Sequence, residues 1–359
     1  MLHLYLRWRK RSKIIGAIFL SAFLLIGFQN FTYETLDIYI SATGGSNANN
    51  GESYDQAVRT FDRAQEILKA KHALEPITRP IRILVGKGEY HCRGLQSTWT
   101  FSNGQPITIQ PLHRVNRSNS FDADLNRPIF KGKDADGKNC NNGVWFVVEH
   151  SGQAMNLTIK GLKVVDYRGG ITIRAAKGII PTRFQNIVIQ NMIFERIGDT
   201  YYQTNIAGKG AILVSYTKKV DILDSYFKEI RNAALPGLIH SIYFSSHASG
   251  SFINGNYFIG NSGSAIKLTN NSNYNVFANN YFSSMPTAIV DRWCGASKDD
   301  NIELQCPGGV AQCPSWENDF SNGNVVENIT FNKNAVVYPI PYSQDCGRKP
   351  PRAKVRMYF

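Results

Sequence analysis

Side chains that could transfer protons and neutralise an anion occupy matching positions in a repeated pattern. Four short runs align without gaps: GAILVSY (210–216), HSIYFSS (240–246), SAIKLTN (264–270) and TAIVDRW (287–293). If these runs are stacked strands, Tyr243 and Lys267 are neighbours about 4.8 Å apart, and Lys267 and Arg292 lie diagonally within reach of one bound group. Lys or Arg can neutralise a carboxylate, and Lys or Tyr can act as base or acid. The pattern predicts that Tyr243, Lys267 and Arg292 are the catalytic group if the protein is an enzyme.

A second set of side chains would line the same surface and bind the substrate. Its predicted members are Arg174, His240, His247, Trp145 and Ser245. Arg174 and Ser245 share a row two residues along the strands, the two histidines flank the Tyr243 strand, and the Trp145 ring could stack on a sugar. Glu149 and His150 end the run VWFVVEH on the same face and are the next candidates for catalysis.

Other interpretations of these residues stay open or are disfavoured. Lys267 and Arg292 can equally be solvated charges on an outer face. A glycoside hydrolase needs paired carboxylates, and the aligned runs contain only Asp291, which alternation places in the inward column of Phe244 and Leu268. The chain has no sequence motif for nucleotide phosphates, a serine triad or nucleic acid, and no Cys-x-x-Cys pair that would suggest zinc.

Stacked coils are the elements that would position these side chains. Ile212, Ile242 and Ile266 share one column of the alignment. Side chains alternate faces along a strand, so Ile266 and Leu268 point inward and Lys267 points outward. One coil cannot bury its apolar face alone, whereas stacked coils can. The alignment therefore predicts an all-β solenoid.

A second repeated run separates the first runs along the chain. It occurs five times: IKGLKV from Ile159, IQNMIF from Ile189, ILDSYF from Ile222, INGNYF from Ile253 and FANNYF from Phe277. This spacing predicts two strands in each coil and coils of roughly 23 to 33 residues. Gly255 and Asn279 are expected to supply tight turns between strands.

These repeats resemble those of right-handed parallel β-helix proteins, the pectate-lyase-like superfamily, over residues 37–340. The resemblance implies that the outer face of the first strand column binds a polymer. A Lys and an Arg on adjacent coils, as Lys267 and Arg292 would be, is similar to the arrangement in alginate- and chondroitin-cleaving lyases of this fold. The resemblance thus implies a polysaccharide lyase that cleaves an acidic, uronate-containing polysaccharide by β-elimination.

The same fold also hosts other functions. The first alternative is a non-catalytic β-helix protein that binds glycan or mediates surface adhesion, and the second is a glycoside hydrolase or epimerase. Many lyases of this fold use Ca²⁺, so calcium remains open as a cofactor. The turn DADG (134–137) lacks the spaced acids and closing Glu of a calcium-binding EF-hand, and a solvated turn is the favoured interpretation there.

The N-terminal segment predicts export. Residues 1–13 contain five basic and no acidic residues, and the apolar run IIGAIFLSAFLLIGF (14–28) follows. Residues 1–36 are therefore interpreted as a signal peptide or an uncleaved anchor with a short linker, and membrane contact is expected only there. The whole chain has a net charge of +13, and five fewer positive charges leave +8 after residue 28. A basic exported protein suggests an anionic partner, namely an acidic polysaccharide, a phosphate-bearing polymer or an anionic membrane surface. A charge that serves only solubility is the alternative, an acidic polysaccharide is the favoured partner, and we expect a monomer.

An N-terminal cap is predicted upstream of the regular repeats. A first strand at 37–42 precedes the loop GGSNANNG, an amphipathic helix over 60–73 and a strand at 81–90. Thr60 is a suitable N-cap residue. The helix is expected to close the open end of the solenoid, which would otherwise present bare strand edges.

The six cysteines lie outside the regular repeats. Four of them, Cys294, Cys306, Cys313 and Cys346, fall in the irregular region that follows the last aligned run. In an exported protein an even number of cysteines indicates disulfides. We expect at least two, mostly within 294–346, with an irregular disulfide-bearing insertion at about 294–323 and a basic tail at 341–359.

Overall fold

The computed structural model describes most of the chain between residues 34 and 331. The described ranges are 34–92, 97–116, 125–140, 143–176, 179, 183–202, 210–269, 272–291 and 324–331. The chain divides into the units Met1–Thr35 and Leu36–Phe359, and every element below belongs to the second. The predictions for the export segment, for Arg292 and for the four C-terminal cysteines lie outside the described residues. Within those ranges, no helix combines the length and the apolar character needed to span a membrane.

In the part of the chain that the structure describes, twenty-four strands form three parallel sheets, which we call sheets I, II and III. Sheet I contains Leu36–Ile40, Ile81–Val85, Ile107–Pro111, Leu157–Lys160, Ile187–Gln190, Val220–Leu223, Phe252–Asn254, Val276–Ala278 and Val325–Glu327. Sheet II contains Glu89–His91, Ile129–Lys131, Lys163–Val165, Ile193–Glu195, Tyr226–Lys228, Tyr257–Ile259, Tyr281–Ser283 and Thr330–Phe331. Sheet III contains Ser97–Trp99, Val144–His150, Gly169–Ala175, Gly210–Ser215, Ile242–Ser245, Ser264–Leu268 and Thr287–Asp291.

Consecutive strands pass from sheet I to sheet II to sheet III and back again, and this path defines a parallel β-helix. Between Leu157 and Asp291 the cycle repeats without a change in order. The predicted solenoid is confirmed, and so is the alignment of its repeats. Ile212 pairs with Ile242, Ile242 with Ile266, and Ile266 with Ile289.

The prediction of two strands per coil was wrong, because each coil has three. The second repeated run is not one strand but two, joined by a sharp corner between sheets I and II. In ILDSYF the corner residue is Asp224, which has a φ of 50°, and Gly255 with a φ of 67° and Asn279 with a φ of 52° occupy the same position in later coils. A single residue in the left-handed region redirects the chain, and Gly, Asn and Asp tolerate that conformation best.

A ladder of buried side-chain amides supports these corners. The Asn256 amide nitrogen donates to Asn280 Oδ1 over 3.0 Å and to the Ile222 carbonyl over 2.8 Å. In return, the backbone N–H of Ser225 donates to Asn256 Oδ1 over 3.0 Å. Asn256 and Asn280 are fully buried. The ladder therefore satisfies backbone groups that the corner removes from the sheets and that would be costly to leave unpaired.

The interior is filled by columns of identical or similar apolar residues. Under sheet II the rings of Phe194, Phe227, Phe258 and Phe282 stack with successive centroid distances of 5.2, 4.8 and 5.0 Å. All four rings are fully buried. Each stacked pair contributes about 0.5–1.5 kcal/mol beyond the burial of its area. A slip of one residue would replace this column with outward-facing side chains, so the register is strongly specified.

The helix α1, Phe61–Leu74, lies between the first two strands of sheet I in the sequence. The Thr60 hydroxyl accepts a hydrogen bond from the Arg63 N–H over 3.2 Å, as predicted for the N-cap. The predicted helix is amphipathic, and its buried apolar stripe consists of Phe61, Ala64, Ile67 and Leu68. Gln65 connects the helix to the segment that follows Ser97–Trp99, the first strand of sheet III. Its side-chain oxygen accepts a hydrogen bond from the Phe101 N–H over 2.8 Å. Two shorter helical segments are Asp199–Tyr202 and the 3₁₀ turn Pro236–Leu238.

A disulfide joins Cys92 and Cys140. Cys92 follows the first strand of sheet II, and Cys140 precedes the second strand of sheet III. Their Cα atoms are 6.1 Å apart, and they are separated by 48 residues in the sequence. This bridge lies at the N-terminal end of the solenoid, whereas the sequence prediction concentrated disulfides near the C-terminus.

Candidate functional site

The outer face of sheet III presents the predicted site residues in two rows. In the first row, Thr172 pairs with Leu213, Leu213 with Tyr243, and Tyr243 with Lys267. In the second row, two residues along the strands, Arg174 pairs with Ser215 and Ser215 with Ser245. This register is the one that the sequence alignment predicted. It follows from the inward columns beneath, where Ile242, Phe244, Ile266 and Leu268 are at most 1 % exposed.

Tyr243 and Lys267 are in direct contact on this face. The Lys267 ammonium nitrogen lies 5.0 Å from the centroid of the Tyr243 ring. The Thr269 hydroxyl, one row along, donates to the Tyr243 phenol oxygen over 3.2 Å. Both Tyr243 and Lys267 are half-buried. The group therefore combines a positive charge over an aromatic ring with a phenol oxygen that accepts a hydrogen bond.

His240 is brought to this group but is not accessible on the surface, which corrects its predicted substrate-binding role. It is 4 % exposed, and its Nδ1 lies 2.6 Å from the Ser264 hydroxyl. Its ring approaches the Tyr243 ring edge-on, with the centroids 5.5 Å apart. His240 therefore supports Tyr243 from below. Ser264 was missed, although the aligned runs HSIYFSS and SAIKLTN place it opposite His240.

Arg174 occupies the outer face as predicted and pairs with Glu149 of the preceding coil. Its Nε and Nη2 each lie 2.9 Å from the same Glu149 carboxylate oxygen. Arg174 is exposed and Glu149 is half-buried. The guanidinium therefore holds the Glu149 carboxylate on the outer face. The pair can still exchange partners with an incoming anion.

The remaining predicted binding residues fall into two groups. Ser245 is half-buried in the second row, and His247 is half-buried just beyond it, with its ring 5.7 Å from the Tyr216 ring. Trp145 is only 5 % exposed and packs on Phe61 and Phe130, with centroid distances of 6.2 and 5.0 Å. The prediction that Trp145 offers a ring face to substrate on this surface is therefore corrected.

His150 is a structural residue in the folded state, which corrects its place as the next catalytic candidate. It is 1 % exposed. Its Nδ1 accepts from the Gly152 N–H over 3.1 Å, so its Nε2 carries the proton toward the Thr217 hydroxyl at 3.0 Å. Burial lowers the pKa of His150 to about 4, although the Tyr216 backbone and the Glu149 charge act in the opposite direction. The imidazole is therefore neutral at physiological pH and is buried in the folded protein.

Two predicted positions at the end of the stack have no described side chain. Arg292 lies outside the described residues, and Asp291 ends the last strand of sheet III without a described side chain. The contribution of Arg292 therefore stays a prediction.

The part of the chain that the structure describes contains no cluster of three or more His, Cys, Asp or Glu side chains arranged to hold a metal ion. At the turn DADG, the Asp134 carboxylate accepts from the N–H groups of Asp136 and Lys138 over 3.0 and 2.8 Å. These hydrogen bonds explain the acid at this position as part of the turn itself.

Comparisons with known proteins add a likeness of shape at low sequence identity. No family model matches the chain, and no curated protein matches its sequence. Among solved structures it is similar to the pectate lyase Pel9A, with a TM-score of 0.45 and 12% identity over 86% of this chain and 80% of that one. It is also similar to the GH136 lacto-N-biosidase from Eubacterium ramulus, with a TM-score of 0.45 and 11% identity over 84% and 57%. A rhamnogalacturonan lyase matches with a TM-score of 0.44 and 14% identity over 85% and 65%, so this chain spans less than two thirds of the last two proteins.

Proposed function

We propose that this protein is an exported, carbohydrate-active β-helix protein that binds an acidic polysaccharide along the outer face of sheet III. The observation that carries the proposal is the contact between Tyr243 and Lys267, with the ammonium 5.0 Å from the ring centroid. An ammonium beside a phenol can pair with a uronate carboxylate and donate a hydrogen bond to a sugar oxygen. Ser215 and Ser245, which pair across neighbouring strands, supply further hydroxyls in the next row, two residues along the strand from Tyr243.

The reaction that fits this group best is β-elimination. In that reaction the C5 proton moves to a base, the C4–O bond breaks, a C4=C5 double bond forms and the leaving oxygen takes up a proton. Lys267 and Tyr243 are within reach of one sugar and can divide the proton transfer between them, with Arg292 neutralising the uronate carboxylate. The Thr269 hydroxyl at 3.2 Å from the phenol oxygen would steady Tyr243 during the transfer.

Non-catalytic glycan binding is the alternative, and the burial of two histidines favours it. His240 and His150 are 4 % and 1 % exposed, so neither can exchange protons with substrate. A glycoside hydrolase or epimerase is less suitable because hydrolysis requires a pair of carboxylates. In the described part of the two outer rows, the acidic residue is Glu149, and Arg174 holds it.

The experiment incubates the purified chain with alginate, pectate and glycosaminoglycans and follows the ultraviolet absorbance of the unsaturated product. Retention on immobilised acidic glycan is measured in parallel. Turnover supports the lyase, and retention without turnover supports the binding protein. The matched control is Lys160→Ala, which removes the same charge from the outer side of sheet I. Neither turnover nor retention, or equal loss in Lys160→Ala and Lys267→Ala, would overturn the proposal.

Three predictions about the whole chain belong to this proposal: the coils wind right-handed, the protein is a monomer, and α1 closes the N-terminal end. About 98% of parallel crossovers are right-handed, which supports the first. The buried Phe61 ring, 5.5 Å from Phe130 and 5.2 Å from Phe146, supports the third. Deletion of residues 60–74 should expose these rings and cause aggregation, measured by light scattering, whereas a soluble and cooperatively folded deletion variant would contradict the capping role.

A further inference from the structure

A cleft opens at the N-terminal end of the solenoid, and neither Tyr243 nor Lys267 lines it. We call it the N-terminal cleft and define it by Asp62, Glu89, His91 and Asp136 at its rim and by Trp145 and Tyr167 at its floor. Its volume is about 580 Å³. Pockets that bind small ligands typically measure roughly 300–1,000 Å³ and combine an apolar floor with a few convergent polar groups. The N-terminal cleft has both properties.

The floor is a packed aromatic cluster. The rings of Phe61, Phe130 and Trp145 are in mutual contact, and Tyr90 stacks on Phe130 with a centroid distance of 4.6 Å. Each of these side chains is between 5 % and 8 % exposed. Such rings hold their positions without a ligand, because neighbouring rings fix them on several sides. The small part of these rings that stays exposed lines the cleft and makes its floor apolar.

The rim is dominated by carboxylates. Four of the described lining residues are acidic, namely Asp62, Glu89, Asp134 and Asp136, and Arg59 contributes the guanidinium. Asp62 accepts from the Ser97 hydroxyl over 3.0 Å, and Glu89 pairs with Lys131 over 2.6 Å, so these two are held in place. Carboxylates accept hydrogen bonds from hydroxyl and ammonium groups, and together they repel an anion.

The disulfide forms part of the wall of this cleft. Both Cys92 and Cys140 line it, and the bridge joins segments 48 residues apart. The His91 Nδ1 lies 3.2 Å from the Lys133 carbonyl, which connects the same two segments on the rim. Covalent and polar links therefore connect two of the segments that line the cleft.

We propose that the N-terminal cleft binds a single sugar ring that carries no negative charge, either neutral or bearing an amine. The aromatic floor would contact the C–H face of the ring, and the rim carboxylates would accept hydrogen bonds from its hydroxyl or ammonium groups. This preference is opposite in charge to that proposed for the outer face of sheet III. The inference goes beyond the proposed function and does not rest on it.

The test uses saturation-transfer NMR and titration of the full chain with glucosamine, glucose and glucuronate. We expect saturation transfer to glucosamine and glucose, with glucosamine bound more tightly, and at least tenfold weaker binding of glucuronate. Asp136→Ala and His91→Ala should each weaken glucosamine binding at least fivefold. The Asp136 carboxylate is exposed at the rim, so its removal should leave the melting temperature unchanged.

The matched control is Glu66→Ala, which removes an exposed carboxylate from α1 outside the cleft and should leave sugar affinity unchanged. Absence of binding to both glucosamine and glucose would overturn the proposal. Equal binding of glucuronate would overturn the charge preference, and unchanged affinity in both Asp136→Ala and His91→Ala would place the bound sugar elsewhere. Loss of retention on acidic glycan in Lys267→Ala bears only on the function proposed for sheet III, so the two proposals can fail separately.

Discussion

The outer faces of sheets II and III both carry tyrosines, but these tyrosines have different neighbours. On sheet II, Tyr226 stacks on Tyr257 with a centroid distance of 4.7 Å, and Tyr281 contacts Tyr257 in a tilted arrangement with a centroid distance of 5.7 Å. On sheet III, Tyr243 lies between Leu213 and Lys267 in its row, and a cation contacts its ring. A tyrosine whose ring faces are covered by identical neighbours stabilises the stack, whereas Tyr243 is surrounded by different groups and can serve a ligand.

The charged residues of the two faces show the same contrast. On sheet II, Glu195 is 6 % exposed and lies between Lys163 and Lys228, at 2.7 and 3.2 Å. On sheet III, two guanidinium nitrogens of the exposed Arg174 contact the same carboxylate oxygen of Glu149. We interpret the outer side of sheet II as a surface that stabilises the solenoid and that of sheet III as its ligand-binding surface.

The largest expected effect is the loss of stability when a buried phenylalanine is truncated. It tests whether the core is equally well packed beneath sheets II and III. Phe258 lies under sheet II and Phe244 under sheet III, and both are fully buried. Phe258→Ala and Phe244→Ala should each lower the free energy of unfolding by about 3–5 kcal/mol, because both leave a cavity in a packed column. Denaturant unfolding measures the loss. A cost below about 1 kcal/mol for one of them would mean that the core is not continuous under that face.

The free energy of unfolding in acid should report on buried His150, which ends the second strand of sheet III. The pKa of His150 is lowered to about 4 by burial, so the unfolded chain binds its proton more readily than the folded one. Its contribution is complete above pH 6.5 and is lost as the pH falls toward 4, by about 3 kcal/mol for a shift of this size. His150→Gln should flatten this part of the curve of unfolding free energy against pH. A curve of unchanged slope would contradict the neutral, buried state.

Glu195 on the outer face of sheet II should contribute to the stability of the fold and not to ligand binding. Burial alone would raise the pKa of Glu195, but hydrogen bonds and charges from Lys163 and Lys228 outweigh it and hold that pKa below its ordinary value. Its contribution is therefore present above its ordinary pKa and is lost as the pH falls through the lowered one. Glu195→Gln should cost about 1–3 kcal/mol at neutral pH, measured by chemical unfolding. Unchanged stability, or reduced retention on acidic glycan, would contradict the division between the two faces.

The smallest expected effect compares one tyrosine from each face. Tyr257→Leu removes one stacked and one tilted ring contact and should cost about 0.5–1.5 kcal/mol of stability while leaving glycan retention unchanged. Tyr243→Leu should reduce retention and change stability less. Thermal unfolding and affinity chromatography on the same samples measure both quantities. A reversed pattern would exchange the roles of the two faces.

Much of the solenoid was predictable because each coil repeats the same physical requirement. Inward positions such as Ile242 and Ile266 must be apolar in every coil, so the alignment recovers the register of sheet III directly. The corner between sheets I and II was harder to recognise. Asp224 in ILDSYF is compatible with a strand until its left-handed conformation is known.

The site was less predictable because burial depends on residues distant in the sequence. Trp145 follows strand alternation, but Phe61 of α1 packs on it from 84 positions earlier in the chain. His240 is buried by its contact with Ser264 of the following coil. The N-terminal cleft combines residues from 42 to 167, and no local pattern predicts that combination.

The most direct measurement of the central claim is turnover and retention of acidic glycan by Lys267→Ala beside Lys160→Ala, over a series of salt concentrations. The account predicts that Lys267→Ala loses turnover, if any is found, and most of its salt-sensitive retention, with a melting temperature close to that of the unmodified chain, because outward surface changes usually cost within about 0.5 kcal/mol. Lys160→Ala should keep both properties. Full turnover and retention in Lys267→Ala would contradict the assignment of the outer face of sheet III as the ligand-binding surface.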